Sequence, residues 1–341
     1  MANIQDVAKR AGVSIATVSR AINFPGVVAF KTRERVGAAI AALGYAPNAA
    51  AKSLRTSRST RIIVTVPDIA NPFFSEVIRG LEDAAKAEGY AVVLADTRHD
   101  PGEEERHGEM LRRHEADGLI FLGHAIPSNL IDMVHDGAGR APIVNGCEFS
   151  PELSVPSAHI DNAQAARAMM DHLHALGHHR IGLIAGPIAS PLSRDRLAGA
   201  RAAAAAHGSL HDLRERVGDF SIRSGAERAT ELLALPQRPT ALFCFSDEMA
   251  LGALHAIHKA GLRVPDDISV AGFDGIRFGQ YAIPSLTTVH QPADAIGRET
   301  VNLLMAILRG GVAPASITLP HTITVRESTG PCPQSAPSRR R

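Results

Sequence analysis

Asn3-Ile4-Gln5-Asp6-Val7-Ala8-Lys9-Arg10-Ala11-Gly12-Val13-Ser14-Ile15-Ala16-Thr17-Val18-Ser19-Arg20 opens the chain and decides how it is organised. Ile4, Val7, Ala8 and Ala11 recur at the spacing that puts them on one face of a helix. Asn3 stands where an N-cap would, with Asp6 in the capping-box position. Gly12 supplies the left-handed conformation of a sharp turn, and Ser14 then caps a second helix. That helix buries Val18 and presents Ile15, Ala16, Thr17, Ser19 and Arg20. The pattern is a helix-turn-helix, whose second helix is suited to a DNA major groove. A third helix is expected from about Thr32 to Leu43, with Val36, Ala39, Ile40 and Leu43 on one face and Gly44 as its stop. Residues 1–46 therefore read as a three-helix DNA-binding head.

Charge agrees with that reading. Residues 1–60 hold nine Lys/Arg and two acids, a surplus of seven positive charges; the whole chain is at +1, so the remainder carries six more acids than bases. A basic head on an acidic body is the footprint of a polyanion binder, although a solvated positive face would carry the same charge. The apolar content of 45% is that of a soluble globular protein, and no apolar run approaches the ~20 residues of a membrane span. The start is polar from Asn3 and lacks the apolar core of a signal peptide. Cys147, Cys244 and Cys332 are far apart and show neither disulfide nor metal spacing, which fits a reducing cytoplasm. The expected location is cytoplasmic and nucleoid-associated.

Pro47 to Arg55 is a short alanine-rich helix candidate that needs a packing partner to form. Thr56 to Thr60 is a polar linker. From Arg61 the rhythm becomes strand and helix in alternation. Strands are expected at Ile62–Val66, Ala91–Ala95, Gly118–Leu122, Ile143–Asn145, Ile181–Ala185, Ala241–Phe245 and Ile268–Phe273. Helical patterns lie at about 73–88, 103–115, 162–176, 194–207, 222–234, 247–260 and 293–309. Buried strands alternating with helices mean parallel sheets covered on both faces. The fold class is α/β, and the length calls for two doubly wound subdomains facing each other across a cleft. Ligands in such folds sit at the carboxyl ends of the strands. Residues 330–341 have no apolar periodicity and read as a disordered tail, with Arg339–Arg341 a solvated end.

These residues resemble the LacI/GalR family of bacterial transcriptional regulators. The likeness is carried by Asp6-Val7-Ala8, Ala11-Gly12-Val13-Ser14, Thr17-Val18-Ser19-Arg20, Gly44-Tyr45-Ala46-Pro47-Asn48, Asn71-Pro72-Phe73-Phe74, Ile160-Asp161-Asn162, Gly177-His178-His179-Arg180-Ile181, Phe245-Ser246-Asp247-Glu248-Met249-Ala250-Leu251-Gly252 and Gly272-Phe273-Asp274. They span nearly the whole chain. On the family's plan, residues 47–60 are a hinge helix and linker, and residues 61–329 a periplasmic-binding-protein-like core. Its N-subdomain is about 61–160 with 291–323, and its C-subdomain about 161–290 with the C-terminal strand. Within the family the chain looks closest to the cytidine-responsive repressors of nucleoside uptake and catabolism. Val66-Pro67-Asp68-Ile69, Pro72 to Gly80, Glu148 to Leu153, Ala185-Gly186-Pro187 and Gly218-Asp219-Phe220 carry that likeness.

The resemblance implies a repressor that binds a near-palindromic double-stranded DNA operator as a homodimer, with a dimer of dimers as an alternative. The DNA-facing set it implies is Ser14, Ile15, Ala16, Thr17, Arg20 and Asn23 in the head, and Asn48, Ala51 and Leu54 in the hinge. Ile15 and Ala16 offer only apolar contact, most naturally to a thymine methyl. Arg20 reaches a guanine edge or a phosphate. Leu54 would be a minor-groove wedge, and Ala51 would let its helix approach closely. Ala29 departs from the family's usual serine cap. The implied effector set is Phe73, Phe74, Asp161, Arg196, Phe220, Asp247 and Asp274. Arg196 and Asp274 suit the adjacent hydroxyls of a ribose or sugar. One of Phe73 and Phe74 is expected to serve the core instead. Asp161 and Asp247 have a competing part as helix caps, the favoured reading for Asp247. The effector is expected to be a nucleoside such as cytidine, or a pentose or hexose. Its effect on DNA binding is release, or relief through a second DNA-bound regulator.

Rival classes fare worse. A solute-binding protein shares the core fold but not the basic head. No P-loop or nucleophile elbow marks an enzyme, so no catalytic residue and no cofactor is expected. His172, His174, His178 and His179 lack a shared helix face and read as solvated. His255 and His258 share a face without a third ligand, so no metal is expected.

Overall fold

The first helix starts where a side chain can take its orphan amides. Asn3 Oδ1 accepts from the amides of Gln5 and Asp6 at 2.8 and 3.0 Å, and the Asn3 amide donates to Asp6 Oδ2 at 2.9 Å. This closes the capping box of α1 (Ile4–Ala11), which ends at Gly12 with φ 62°. Ser14 caps α2 (Ile15–Asn23) by accepting from the Thr17 amide. α3 (Phe30–Leu43) begins slightly before the expected Thr32 and ends at left-handed Gly44. Its N-cap residue, Ala29, makes no side-chain cap bond. Val7, Ala11, Val18, Ala21, Val36 and Ala39 form the head's own core. Arg35 of α3 donates to the carbonyls of Ala11 and Gly12, so this cation closes the end of α1.

The computed structural model describes residues 2–46, 58–124, 126–137, 141–149, 155–311 and 313–333. Asn48, Ala51, Leu54 and the tail arginines therefore lie outside the described residues, as does most of the expected hinge. The chain divides into two units, residues 1–59 and 60–341.

In the second unit, β1 (Arg61–Val66), β2 (Ala91–Asp96), β3 (Gly118–Phe121), β4 (Ile143–Gly146), β5 (Ser157–Ile160) and β11 (Ser316–Leu319) form a parallel sheet in the order β11-β5-β4-β3-β1-β2. A second sheet holds β6 (Ile181–Ala185), β7 (Arg214–Val217), β8 (Ala241–Cys244), β9 (Ser269–Asp274), β10 (Thr287–His290) and β12 (Thr322–Thr324). Its order is β12-β10-β9-β8-β6-β7, parallel except at β12. The helices are α4 (Pro72–Ala87), α5 (Pro101–Arg112), α6 (Ile131–Gly137), α7 (Asn162–Ala175), α8 (Pro191–Ala206), α9 (Ile222–Leu233), α10 (Asp247–Lys259) and α11 (Ala293–Leu308). Among the described residues, no helix is long and apolar enough to cross a membrane. The chain passes between the sheets three times, at Asp161, at Gln291–Pro292 and at Pro320–His321.

Helices on each sheet pack in pairs through glycine. A Cβ on Gly80 of α4 would lie 2.1 Å from the Asp294 carbonyl of α11, and one on Gly297 would lie 2.1 Å from the Val77 carbonyl. Gly225 of α9 and Gly252 of α10 face Met249 and Ile222 carbonyls in the same way, at 2.2 and 2.0 Å. Backbone therefore meets backbone at both seams.

Two expectations need correction. His174 and His178 are buried, not solvated. His178 bridges Thr240 Oγ1 and the Gly330 carbonyl at 3.0 Å each, pinning the segment after α7. Residues 330–333, read as the start of a disordered tail, belong to the core: the Gly330 amide donates to Ser269 Oγ and the Cys332 amide to the Leu176 carbonyl. Their anchoring is mainly backbone, which a composition-based reading does not register.

Two substitutions test this packing by chemical denaturation of the full chain. Ala29→Ser is expected to stabilise the head by about 1 kcal/mol, because a hydroxyl takes an orphan amide at the start of α3. Gly297→Ala is expected to cost the core about 1–3 kcal/mol through overpacking; an unchanged midpoint would remove the argument for backbone contact.

Candidate functional site

Ile15, Ala16 and Arg20 are exposed on one side of α2, while Val18 and Ala21 point into the head. Ser14 Oγ and Thr17 Oγ1 lie 2.9 Å apart, so both hydroxyls serve the helix start. Asn23 is half-buried and its amide donates to the Ser19 carbonyl at 2.8 Å, which holds the side chain against its own helix. The face thus combines two apolar side chains, a cation and capped hydroxyls on a rigid helix.

In the core, a cavity of ≈ 590 Å³ opens where the carboxyl ends of both sheets meet. Asp68 follows β1, His124 follows β3, and Cys147 and Glu148 follow β4. From the other sheet, Pro187 follows β6, Asp219 and Phe220 follow β7, Ser246 follows β8, Asp274 ends β9 and Gln291 follows β10. Parallel strands deliver their ends to one edge, so the topology itself gathers these side chains. Phe73, Phe74, Phe220, Arg196 and Asp274 from the expected set all line the cavity. Phe73 is also a core residue, and its ring meets Phe74 edge-on at 5.5 Å. Phe220, at φ 70°, rests its ring against Gly186, where a Cβ would lie 2.0 Å from the ring.

Arg196 is buried in the wall. Nε donates to Asn162 Oδ1 at 2.8 Å, NH1 donates to the Phe245 carbonyl at 2.5 Å, and the guanidinium lies 3.6 Å over the Phe273 ring. Asp274 Oδ1 is 3.9 Å away, the limit of an ion pair. Burial outweighs that attraction on both sides, lowering Arg196 to about 10 and raising Asp274 to about 6. Asp274 has φ 115°, a strained conformation for a residue with a Cβ. Gln291 holds it twice, donating Nε2 to Oδ1 at 2.8 Å and its amide to the Asp274 carbonyl at 3.1 Å.

Asp161 and Asp247 do not line this cavity. Asp161 caps α7 by accepting from the Gln164 amide at 2.9 Å. The cap of α10 is Ser246, not Asp247. Asp247 is fully buried, and its Oδ2 accepts from the Gly275 and Ile276 amides at 2.8 Å each while Oδ1 accepts from Thr288 Oγ1 at 2.6 Å. It therefore fixes the turn that presents Asp274.

Sequence reasoning missed Gln291, Glu148, His124, Ser190 and Glu248 as cavity residues. Ser190 Oγ donates to Glu148 Oε2 at 3.1 Å, and His124 Nδ1 is 3.5 Å from the same oxygen. The Glu148 carboxylate beside it raises the His124 pKa. Glu248, half-buried beside Asp68 and Asp274, is pushed by burial and those charges to about 7. The positions after each strand end carried the only usable cue, and β10, which places Gln291, was not foreseen. Among the described residues, no three metal-ligating side chains converge.

Residues 3–48 match the family described as bacterial regulatory proteins, lacI family, and residues 170–329 match the periplasmic binding protein-like domain. The chain is 40% identical over 334 residues to the HTH-type transcriptional repressor CytR of Escherichia coli strain K12, covering 97% of each. Its structure is similar to the lac repressor dimer bound to operator and the anti-inducer ONPF, with TM-score 0.86 and 32% identity over 96% of this chain and 99% of that one. It is also similar to a LacI family transcriptional regulator from Enterococcus faecium with bound ribose, with TM-score 0.71 and 29% identity over 80% of this chain and 99% of that one.

Glu248 makes stability depend on pH. Its carboxyl keeps a proton in the folded state up to about 7, against an ordinary 4.5. The folded state therefore gains at low pH, and that gain is lost as pH rises between these values. Glu248→Gln is expected to raise the melting temperature of the ligand-free protein at pH 8, with the increment shrinking toward pH 5. An increment independent of pH would contradict the assignment.

Proposed function

Because the chain belongs to the LacI family of bacterial regulatory proteins, we propose that it is a repressor that binds an operator as a dimer. A small hydroxyl-bearing ligand in the core cavity sets its affinity for DNA. The observation that carries this reading is the Arg196–Asp274 site. Both groups are buried in the cavity wall, Arg196 from a helix and Asp274 from a strand end, and stand 3.9 Å apart, at the limit of an ion pair. Adjacent hydroxyls of a ribose can accept from the guanidinium and donate to the carboxylate at once. Phe73, Phe74 and Phe220 add aromatic faces suited to a flat ring. Together they favour a nucleoside such as cytidine. A pentose is the second reading, supported by the ribose in the Enterococcus relative.

On the DNA side, Ile15 and Ala16 meet thymine methyls and Arg20 meets a guanine edge or a phosphate. Ser14 and Thr17 serve phosphate contact, and Asn23, whose amide nitrogen bonds Ser19, offers its oxygen to the groove. Asn48, Ala51 and Leu54 act at the operator centre, Leu54 as the wedge. Two identical heads require a near-palindrome. Asp161 and Asp247 act by positioning. Ligand binding changes DNA affinity only by favouring one cleft state over the other; closure shifts β1, the strand that follows the linker, and releases the operator.

Arg196→Ala is expected to abolish the ligand-induced thermal shift while leaving operator affinity in fluorescence anisotropy unchanged. Lost operator binding with the fold intact would count against the cleft assignment. Leu54→Ala is expected to weaken specific binding far more than binding to random duplex, and equal weakening would remove the wedge.

A further inference from the structure

We propose that Asp68 and Glu248 form a recognition pair for an amino group on the ligand, so that the cleft selects amino-bearing compounds over their oxo or hydroxy counterparts. This rests on the reading of the cavity as the effector site. Asp68 follows β1 of one sheet, Glu248 stands in the first turn of α10 on the other, and both line the cavity. The pair is therefore split across the cleft. Asp68 Oδ1 accepts from the Ala70 amide at 2.9 Å, which leaves Oδ2 for a ligand. Glu248 has no hydrogen-bond or ion-pair partner among the described residues, although Asp68 and Asp274 both act on it electrostatically.

Among the described residues, no cation forms an ion pair with Asp68 or Glu248. Arg196 is held by Asn162 and the Phe245 carbonyl, His124 sits against Glu148, and Arg223 acts on Asp219. Exposed Asp68 and half-buried Glu248 repel one another across the cavity, and Glu248 has no donor among the described residues. Above about pH 7, where Glu248 is ionised as well, both carboxylates only accept hydrogen bonds. An amino group brings N–H donors and relieves the repulsion, whereas an oxo group at the same place sets its lone pairs against it. A site built around unsatisfied hydrogen-bonding groups discriminates strongly against the analogue that cannot complete them.

Isothermal titration of the full-length protein at pH 8, where both carboxylates are ionised, against matched pairs tests this: cytidine and uridine, adenosine and inosine, glucosamine and glucose. The amino member of at least one pair is expected to bind at least about tenfold more tightly. Glu248→Gln and Asp68→Asn, checked for intact melting, are expected to bring that ratio toward one without weakening the oxo or hydroxy member. Equal affinities within every pair, no binding by any amino member, or a ratio unchanged in both variants would overturn the proposal. Should the variants not fold, the wild-type ratios decide it. Nucleosides that bind with no amino preference, alongside no preference for glucosamine, overturn the pair but leave the nucleoside reading standing. Preference for glucosamine, with no nucleoside bound, upholds the pair and removes the nucleoside reading.

Discussion

A guanidinium taken out of water with its nearest carboxylate only at the limit of an ion pair is the constraint around which the core is arranged. Arg196 would be costly to bury alone. It is stabilised by three neutral partners from different elements: Asn162 at the start of α7, the carbonyl of Phe245 after β8, and the Phe273 ring in β9. For these to converge, α8 must lie directly on α7. Gly199 permits that, since a Cβ there would sit 2.0 Å from the Ala163 carbonyl. The Arg196-Leu197-Ala198-Gly199 stretch thus joins a cavity-lining side chain to the contact that holds its helix.

Much of this was legible in the sequence. The head was clear because its signals are local: Asn3, Asp6, Gly12 and Ser14 each act within a few residues. The buried strands were clear because apolar runs mark them. β7, with the sequence Arg-Glu-Arg-Val, lies at a sheet edge and carries charge, so no apolar run announces it. β5 and β10 contain serine, threonine and histidine and are equally silent. Arg196, Asp274 and the phenylalanines came from resemblance to a family. Gln291, Glu148 and Glu248 did not, because their neighbours Asp274, Ser190 and Asp68 are remote from them in the sequence. Asp247 illustrates the difference: a carboxylate at a helix start suggests a cap, yet its partners are amides of a turn nearly thirty residues away.

The three passages between sheets are where cleft geometry can change. Asp161 stands in the first, Gln291 in the second and His321 in the third. Asp161 acts on His321 electrostatically, so the first and third passages influence one another. Gln291 touches Asp274 directly, which joins the second to the binding wall. On the proposed function, any difference in ligand affinity between open and closed forms of the cleft appears as coupling.

The glycine seams have a mechanical consequence. Where peptide planes touch without side chains between them, there is little soft material to rearrange under load, and each sheet with its helices behaves as a stiff plate. Strain introduced at the cavity then finds no compliant interior in which to dissipate. It is delivered to the few residues joining the plates, in the way a lever concentrates a small force at its fulcrum.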